Sequence, residues 1–285
     1  MSPLERIQEL PPWEWPPETR QTFLKALADR TTPASDRIIA ARLAGDMVVI
    51  DPDLAQLLAG IASDPDEPAD IRANAAIALG PVLEHTSTFE FDDPDDVYVS
   101  PSVYQHLRDS LHDVYLDASV PKLVRRRALE AAVRAPEDWQ KAAIAQAWDS
   151  KDPDWILTAV FCMRFVEGFD KQILEALKNP DPDIHRHAIE AAGENNVEAA
   201  WPHIGKLLEN SRTDRDLLLA AIEAAGVLRA EEAFDLLDRF TESEDEEIAE
   251  AAQEAIDMAD VIEDGFEEEA GGEDEADPGE SAWRN

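Results

Sequence analysis

Seven alanines stand at one register position along this chain, and that regularity limits the possible folds more than any other feature. They are Ala40, Ala75, Ala128, Ala159, Ala188, Ala221 and Ala252. Each lies five residues before a shared anchor, at Gly45, Gly80, Val133, Arg164, Gly193, Gly226 and Asp257. Successive anchors are 35, 53, 31, 29, 33 and 31 residues apart. The clearest copy, D-P-D-I-H-R-H-A-I-E-A-A-G at 181–193, shows what is being repeated. Asp181-Pro182-Asp183 is a helix start, because proline in a first turn lacks only an N–H that had no partner, and carboxylates suit the positive helix end. Ile184, Ala188 and Ala192 then stack at intervals of four on one face, and the alanines let a second helix come close. Gly193 falls near the end of the run, where a helix favours a residue without a side chain. Two helices per unit with a period near 31–35 predict a solenoid.

In chain order the pattern predicts helix pairs at about 17–29 and 34–45, 52–62 and 69–83, 101–118 and 121–134, 137–149 and 153–166, 168–178 and 182–194, 197–210 and 214–228, and 230–241 and 245–261. Residues 1–16 form a segment rich in proline and tryptophan (P-P-W-E-W-P-P), which reads as extended, with Trp13 and Trp15 covering the end of the first pair. The 53-residue interval marks an insertion at 85–100, where Phe89, Phe91 and Tyr98 flank the acidic run 92–96. That loop lacks the glycine and final glutamate of a calcium loop, and it is the second-choice contact site. The fourth pair carries Trp148, Trp155, Phe161 and Phe165, with Phe169 and Trp139 near by, which predicts a tightly filled core. Residues 262–285 have neither periodicity nor apolar groups to bury and are expected to be an acidic, disordered tail.

The phrases D-I-R-A-N-A-A-I-A-L-G (70–80) and D-I-H-R-H-A-I-E-A-A-G (183–193) resemble HEAT repeats, in particular the short HEAT-like type also found in phycobilin lyases. The resemblance spans roughly residues 17–261. It implies an all-α fold, a right-handed α-solenoid of about seven HEAT-like helix pairs. It is specific for fold and says little about function, since such repeats serve many roles.

Composition narrows the partner. Acidic residues number 63 against 25 basic ones, a formal charge of −38. The last 24 residues hold ten carboxylates and one arginine, so residues 1–261 still carry −29. Either a partner is positively charged, or the surface is adapted to high salt, a halophilic trait that seven Lys against eighteen Arg resembles. Free nucleic acid is a poor match for such a surface, since phosphate affinity needs net positive contacts; only Lys122, Arg125, Arg126, Arg127 and Arg134 cluster. No stretch approaches the ~18 apolar residues of a membrane span, the first ten residues do not read as a signal peptide, and Cys162 is the only cysteine. A cytoplasmic location is the expectation.

Catalytic motifs do not emerge. There is no phosphate-cradling glycine loop, no G-x-S-x-G and no H-E-x-x-H. His185 and His187 point roughly 160° apart on a helix and cannot clasp one metal ion; His85, His106, His112 and His203 are scattered and read as surface or packing residues. The iron-binding His-Glu dipeptides of deoxyhypusine hydroxylases, which are HEAT enzymes, do not occur. The sequence therefore assigns no catalytic, cofactor-binding or metal-binding residue, and no cofactor. It predicts a non-catalytic scaffold or adaptor that binds another protein on the concave face, with a basic segment as the form that charge favours. The alternative is a phycobilin-lyase-like enzyme or assembly factor. Oligomeric state is not encoded legibly.

The expected contact residues follow from the resemblance, since second helices line the concave side of HEAT arrays. Three residues before each anchor an outward row reads Arg42, Ile77, Glu130, Phe161, Glu190, Glu223, Glu254. Arg186 shares the outward side of its helix with Glu190, and Leu157 and Leu219 add apolar contacts beside Phe161. A chain advancing about 3.3 Å per residue past helices about 8–10 Å apart would meet Glu190, Glu223 and Glu254 with every third side chain. The partner-binding set is thus Glu190, Glu223, Glu254, Arg186, Leu157, Phe161 and Leu219.

Overall fold

The computed structural model describes residues 2–47, 51–88, 99–228 and 230–271. The chain divides into two compact units, residues 1–166 and 167–285. Among the described residues every regular element is helical. None of these helices is long and apolar enough to cross a membrane.

The first unit opens with α1 (Pro3–Gln8) and continues as four pairs. These are α2 (Thr19–Ala28) with α3 (Ala34–Gly45), α4 (Pro52–Ser63) with α5 (Ala69–Ile77) and its continuation α6 (Gly80–Thr88), α7 (Pro101–Leu116) with α8 (Lys122–Ala132), and α9 (Asp138–Asp149) with α10 (Pro153–Cys162). The second unit holds three pairs: α11 (Asp170–Ala176) with α12 (Pro182–Glu194), α13 (Trp201–Glu209) with α14 (Arg215–Leu228), and α15 (Ala230–Leu237) with α16 (Glu246–Gly271). The repeated start signal works as a cap. Asp51, Ser100, Asp152 and Asp181 each precede a proline at the first helical position, and each side chain accepts a backbone N–H of the first turn.

All seven register alanines are 0% exposed. The second helices can stack this closely because a methyl group is all that stands between them. The anchor glycines serve the same end and are not left-handed helix caps: the one described glycine with positive φ is Gly168. A Cβ on Gly193 would lie 3.0 Å from Ala224 Cα, and one on Gly226 would lie 2.5 Å from the Ala255 carbonyl oxygen. Both glycines sit inside helices, where the next second helix passes against bare backbone.

A second register position joins the two helices of a pair. Arg37, Arg72 and Arg125 all lie eight residues before an anchor. Each donates to a carbonyl ten residues back, Arg37 Nη2 to Leu27 (2.9 Å), Arg72 Nε to Ala62 (3.0 Å) and Arg125 Nε to Tyr115 (2.8 Å). Those carbonyls belong to the penultimate residues of α2, α4 and α7, groups that a helix end leaves without an internal partner.

Four expectations need correction. The N-terminal segment is partly helical, because S-P-L-E is a capping box: Glu5 N donates to Ser2 Oγ (3.2 Å) and Ser2 N to Glu5 Oε2 (2.6 Å). Leu4 and Ile7 are then buried, and Trp15 packs edge-on against Phe23, whereas Trp13 stays 84% exposed. The predicted helix 69–83 breaks after Ile77 and resumes at Gly80, since Pro81 cannot donate to the carbonyl of Ile77. Helix α16 continues through residues 262–271, ten residues into the expected disordered tail; residues 272–285 lie outside the described residues. Of the insertion, residues 85–88 end α6, Val99 is buried, and 89–98 with its aromatic and acidic groups lies outside the described residues.

The aromatic crowd also proves not to be one filled core. Trp148, Trp155, Phe161 and Phe165 are half-buried. Trp139 stacks on His112 and Tyr115, Trp155 meets Tyr115 edge-on at 6.3 Å, and Phe161 lies 5.6 Å from Phe165. Phe169 is buried within the second unit.

Candidate functional site

The second helices of the second unit form one candidate surface. Helix α14 packs against both α12 and α16 through the Gly193–Ala224 and Gly226–Ala255 approaches. Ile184, Ala188 and Ala192 are buried on α12, as are Ala221 and Ala252 on the helices that follow. The opposite sides of these helices carry the expected contact residues. Glu223 and Glu254 are exposed on α14 and α16, and Leu219 is half-buried one turn before Glu223.

Glu190 differs from those two. Its carboxylate pairs with Arg186 one turn earlier and lies 2.8 Å from His187 Nδ1, and its side chain is only 12% exposed. The i,i+4 and i,i+3 spacings bring all three groups to one patch of α12. Arg186 and Glu190 therefore face the same way, as the sequence implied, but they engage each other.

In the first unit the same register row is mixed. Arg42 is exposed on α3 and Ile77 half-buried on α5. Glu130 is 2% exposed, contrary to its expected outward place. Helix α10 covers it: Thr158 Oγ1 donates to Glu130 Oε1 (2.5 Å) and Arg127 Nη1 lies 2.5 Å from Oε2. Burial and the Glu130 charge together push the Cys162 thiol well up, so this cysteine stays protonated and enclosed. Leu157 and Phe161 are half-buried on α10; the guanidinium groups of Arg134 and Arg164 lie over the neighbouring Phe165 ring, at 5.2 and 5.6 Å.

Two arrangements escaped the sequence. His185 and His187 go to different partners, and His185 Nε2 lies 2.7 Å from His203 Nε2, joining α12 to α13. Burial first, and then the neighbouring charge, holds both imidazoles below their ordinary value. No sequence signal marks this pair, since the two histidines lie on different helices at unrelated positions. The second is the Arg37, Arg72 and Arg125 series, which aligning the chain on its anchors would have exposed. Among the described residues, no group of three or more His, Cys, Asp or Glu side chains is placed to hold a metal ion.

Residues 171–257 match the family model described as HEAT repeats. The match covers the last three helix pairs, where anchors and alanines are most regular. No curated protein matches the chain. Solved structures give weaker likenesses. Human deoxyhypusine hydroxylase in complex with glycerol is 16% identical over 90% of this chain and 88% of its own, with a TM-score of 0.41. YibA of E. coli is 15% identical over 86% of this chain and 84% of its own, with a TM-score of 0.44. An engineered protein is 16% identical over 86% and 97%, with a TM-score of 0.36. With every TM-score below 0.5, none of these carries an activity across to this chain.

Proposed function

We propose that the chain is a non-catalytic scaffold that binds another protein through the outward faces of its second helices, with a basic segment as the preferred contact in the second unit. The observation that supports this reading is the pairing of a buried small-residue face with exposed carboxylates at one register position, Glu223 on α14 and Glu254 on α16. Glu190, largely buried and tied to Arg186 and His187, adds shape and local polarity. An extended chain crossing α14 and α16 would meet one carboxylate about every third residue.

The test is binding of a labelled peptide with lysine at every third residue, measured by fluorescence anisotropy. Replacing Glu223 and Glu254 together by Gln is expected to weaken binding several-fold and to flatten its salt dependence, with helix content unchanged. Equal binding by the folded double variant would remove this face as the contact. Replacing Glu190 alone should matter less, because its side chain is only 12% exposed and Glu223 and Glu254 are exposed.

A further inference from the structure

The run K-L-V-R-R-R at 122–127 is the densest group of cations in an acidic chain, and one member is placed unlike the rest. Lys122 pairs with Asp152 and Asp154, Arg126 with Asp154 and Thr158, and Arg127 with Glu130. Among the described residues, Arg125 has no carboxylate within ion-pair distance. Its Nε is held by the Tyr115 carbonyl, and its guanidinium lies 5.7 Å from the Tyr115 ring centre and 5.6 Å from that of Trp155. The ring contacts and the carbonyl bond leave its terminal nitrogens without a hydrogen-bond acceptor among the described residues.

The repeat itself indicates what belongs there. Arg37 occupies the same register position, eight before its anchor, and also donates to the penultimate carbonyl of its first helix, through Nη2 where Arg125 uses Nε. Its fork is then closed by Glu67, Nη1 to Oε2 at 2.6 Å and Nη2 to Oε1 at 2.9 Å, both side chains being 4% exposed. Glu67 lies thirteen residues before the anchor of the following pair. For Arg125 the corresponding residue is Lys151, which repels a guanidinium instead of neutralising it. The sequence thus supplies the carboxylate for Arg37 alone: Arg72 has Val120 at the corresponding position and is itself buried, whereas Arg125 has Lys151 and is half-buried beside a cavity.

Beside Arg125 is a cavity of about 120 Å³, lined by Tyr115, Arg125, Gln146, Ala147, Ser150 and Trp155. Pockets for cofactors or drug-sized ligands run to roughly 300–1,000 Å³. This one suits a single side chain or a chain terminus. Of the nearby acids, Asp152 pairs with Lys122, and Asp117 accepts from Ser119 and feels the Arg125 charge without coming within ion-pair distance of it. Gln146 and Ser150 bring neutral polar groups to the opposite wall, and Ser150 Oγ also donates to the Ala147 carbonyl.

We propose that the Arg125 cavity is a carboxylate-binding site supplied in trans, taking an Asp or Glu side chain or a C-terminal carboxylate from a protein partner. Arg125 provides the two-pronged contact that Glu67 shows this register position accepts, and the Tyr115 and Trp155 rings, edge-on to each other, lie against the guanidinium on adjacent sides and leave its remaining side open to a ligand. The rings also offer apolar area to the methylene groups that carry the ligand's carboxylate. The site lies in the first unit, uses none of the residues of the second-helix surface of α12, α14 and α16, and stands or falls separately from it.

The experiment uses the full chain and follows the Trp155 indole N–H by NMR, assigned with Trp155→Phe. Four probes are titrated: N-acetylglutamate N-methylamide, its glutamine counterpart, N-acetylalanine, and N-acetylalanine N-methylamide. Saturable shifts with a carboxylate probe and none with its neutral partner are expected, and the carboxylate probe that binds more tightly identifies a side chain or a terminus as the source. Arg125→Gln, which retains a donor for the Tyr115 carbonyl, should weaken binding at least about tenfold. Gln146→Glu, nearly isosteric, places a competing negative charge in the wall and should abolish binding with the fold intact. Neutral and charged probes of equal effect, or undiminished binding in Gln146→Glu, would overturn the proposal.

Discussion

Adding one methyl group at Gly226 tests the stacking argument directly. A Cβ there would lie 2.5 Å from the Ala255 carbonyl oxygen and 3.0 Å from Ala255 Cα, both backbone atoms of α16. Neither can rotate away, so α14 and α16 must separate. Overpacking of this kind costs about 1–3 kcal/mol, whereas alanine gains about 1 kcal/mol over glycine in helix propensity. The net for Gly226→Ala is a loss of up to about 2 kcal/mol. Gly205 provides the control in the same unit: its Cβ would approach nothing closer than Trp201 Cε2 at 4.0 Å, an ordinary contact. Gly205→Ala should therefore stabilise by roughly 0.5–1 kcal/mol. At about 2–4 °C per kcal/mol for a chain of this size, the two variants should melt several degrees apart, on opposite sides of the parent. Circular dichroism at 222 nm is sufficient, with Gly193→Ala expected between Gly226→Ala and the parent, because its clash is 3.0 Å and not 2.5 Å. A Gly226→Ala protein melting at or above Gly205→Ala would refute close helix approach as the reason for the anchor glycines.

Three further outcomes are expected. Glu67→Gln should cost about 3 kcal/mol or more, since it leaves the buried Arg37 guanidinium without its countercharge; a melting point unchanged in denaturant titration would contradict that. His185 and His203 have folded values below 6.5, so their contribution is complete above pH 6.5 and is lost as pH falls from there through the folded value; the second unit should melt earlier at pH 5.5 than at 7.5, and His203→Gln should reduce that difference. Raising salt to 1 M shortens the Debye length to about 3 Å and should raise the melting point by relieving repulsion among carboxylates, a trend that a flat or falling melting curve series would exclude.

The fold was legible because its determinants are local and periodic. Ala188, Ile184 and the Asp181-Pro182 start signal each act within one helix or against an identical neighbour, so spacing alone reveals them. The N-terminal helix was missed although its signal was present, because five prolines drew the reading towards extended chain while Ser2 and Glu5 formed a capping box around Pro3. The candidate surface was half legible. Which side of α12 faces outward follows from its buried stripe, but whether Glu190 is available depends on the rotamers of Arg186 and His187. Glu130 was misplaced for a related reason: its burial depends on Thr158, a residue of the next pair whose reach no single-helix period describes. The Arg125 cavity required knowledge of which carboxylate does not follow, and the register supplies it only once Arg37 and Glu67 have been seen to meet.

The cations of this chain explain how so acidic a protein keeps its repeats together. Arg37 reaches Glu67, Arg108 reaches Glu137, Lys122 reaches Asp152 and Arg215 reaches Asp245, at sequence separations of 30, 29, 30 and 30. Each separation is close to one repeat, so each pair ties one helix hairpin to the next instead of bracing a helix internally. Arg37–Glu67 is buried, but the exposed pairs Lys122–Asp152 and Arg215–Asp245 are individually weak, about 0–1 kcal/mol, and the stacking energy must come chiefly from the alanine and glycine faces. What the pairs add is register. A hairpin displaced by one helical turn would offer these cations Ser63 or Ile71, Val133 or Lys141, Trp148 or Ile156, and Thr241 or Ala249, whereas the native register meets each of the four with an acid. Arg125 shares the register position of Arg37 but meets no acid in the next hairpin, and its half-buried setting beside a cavity makes that charge both costly to leave unpaired and reachable from outside.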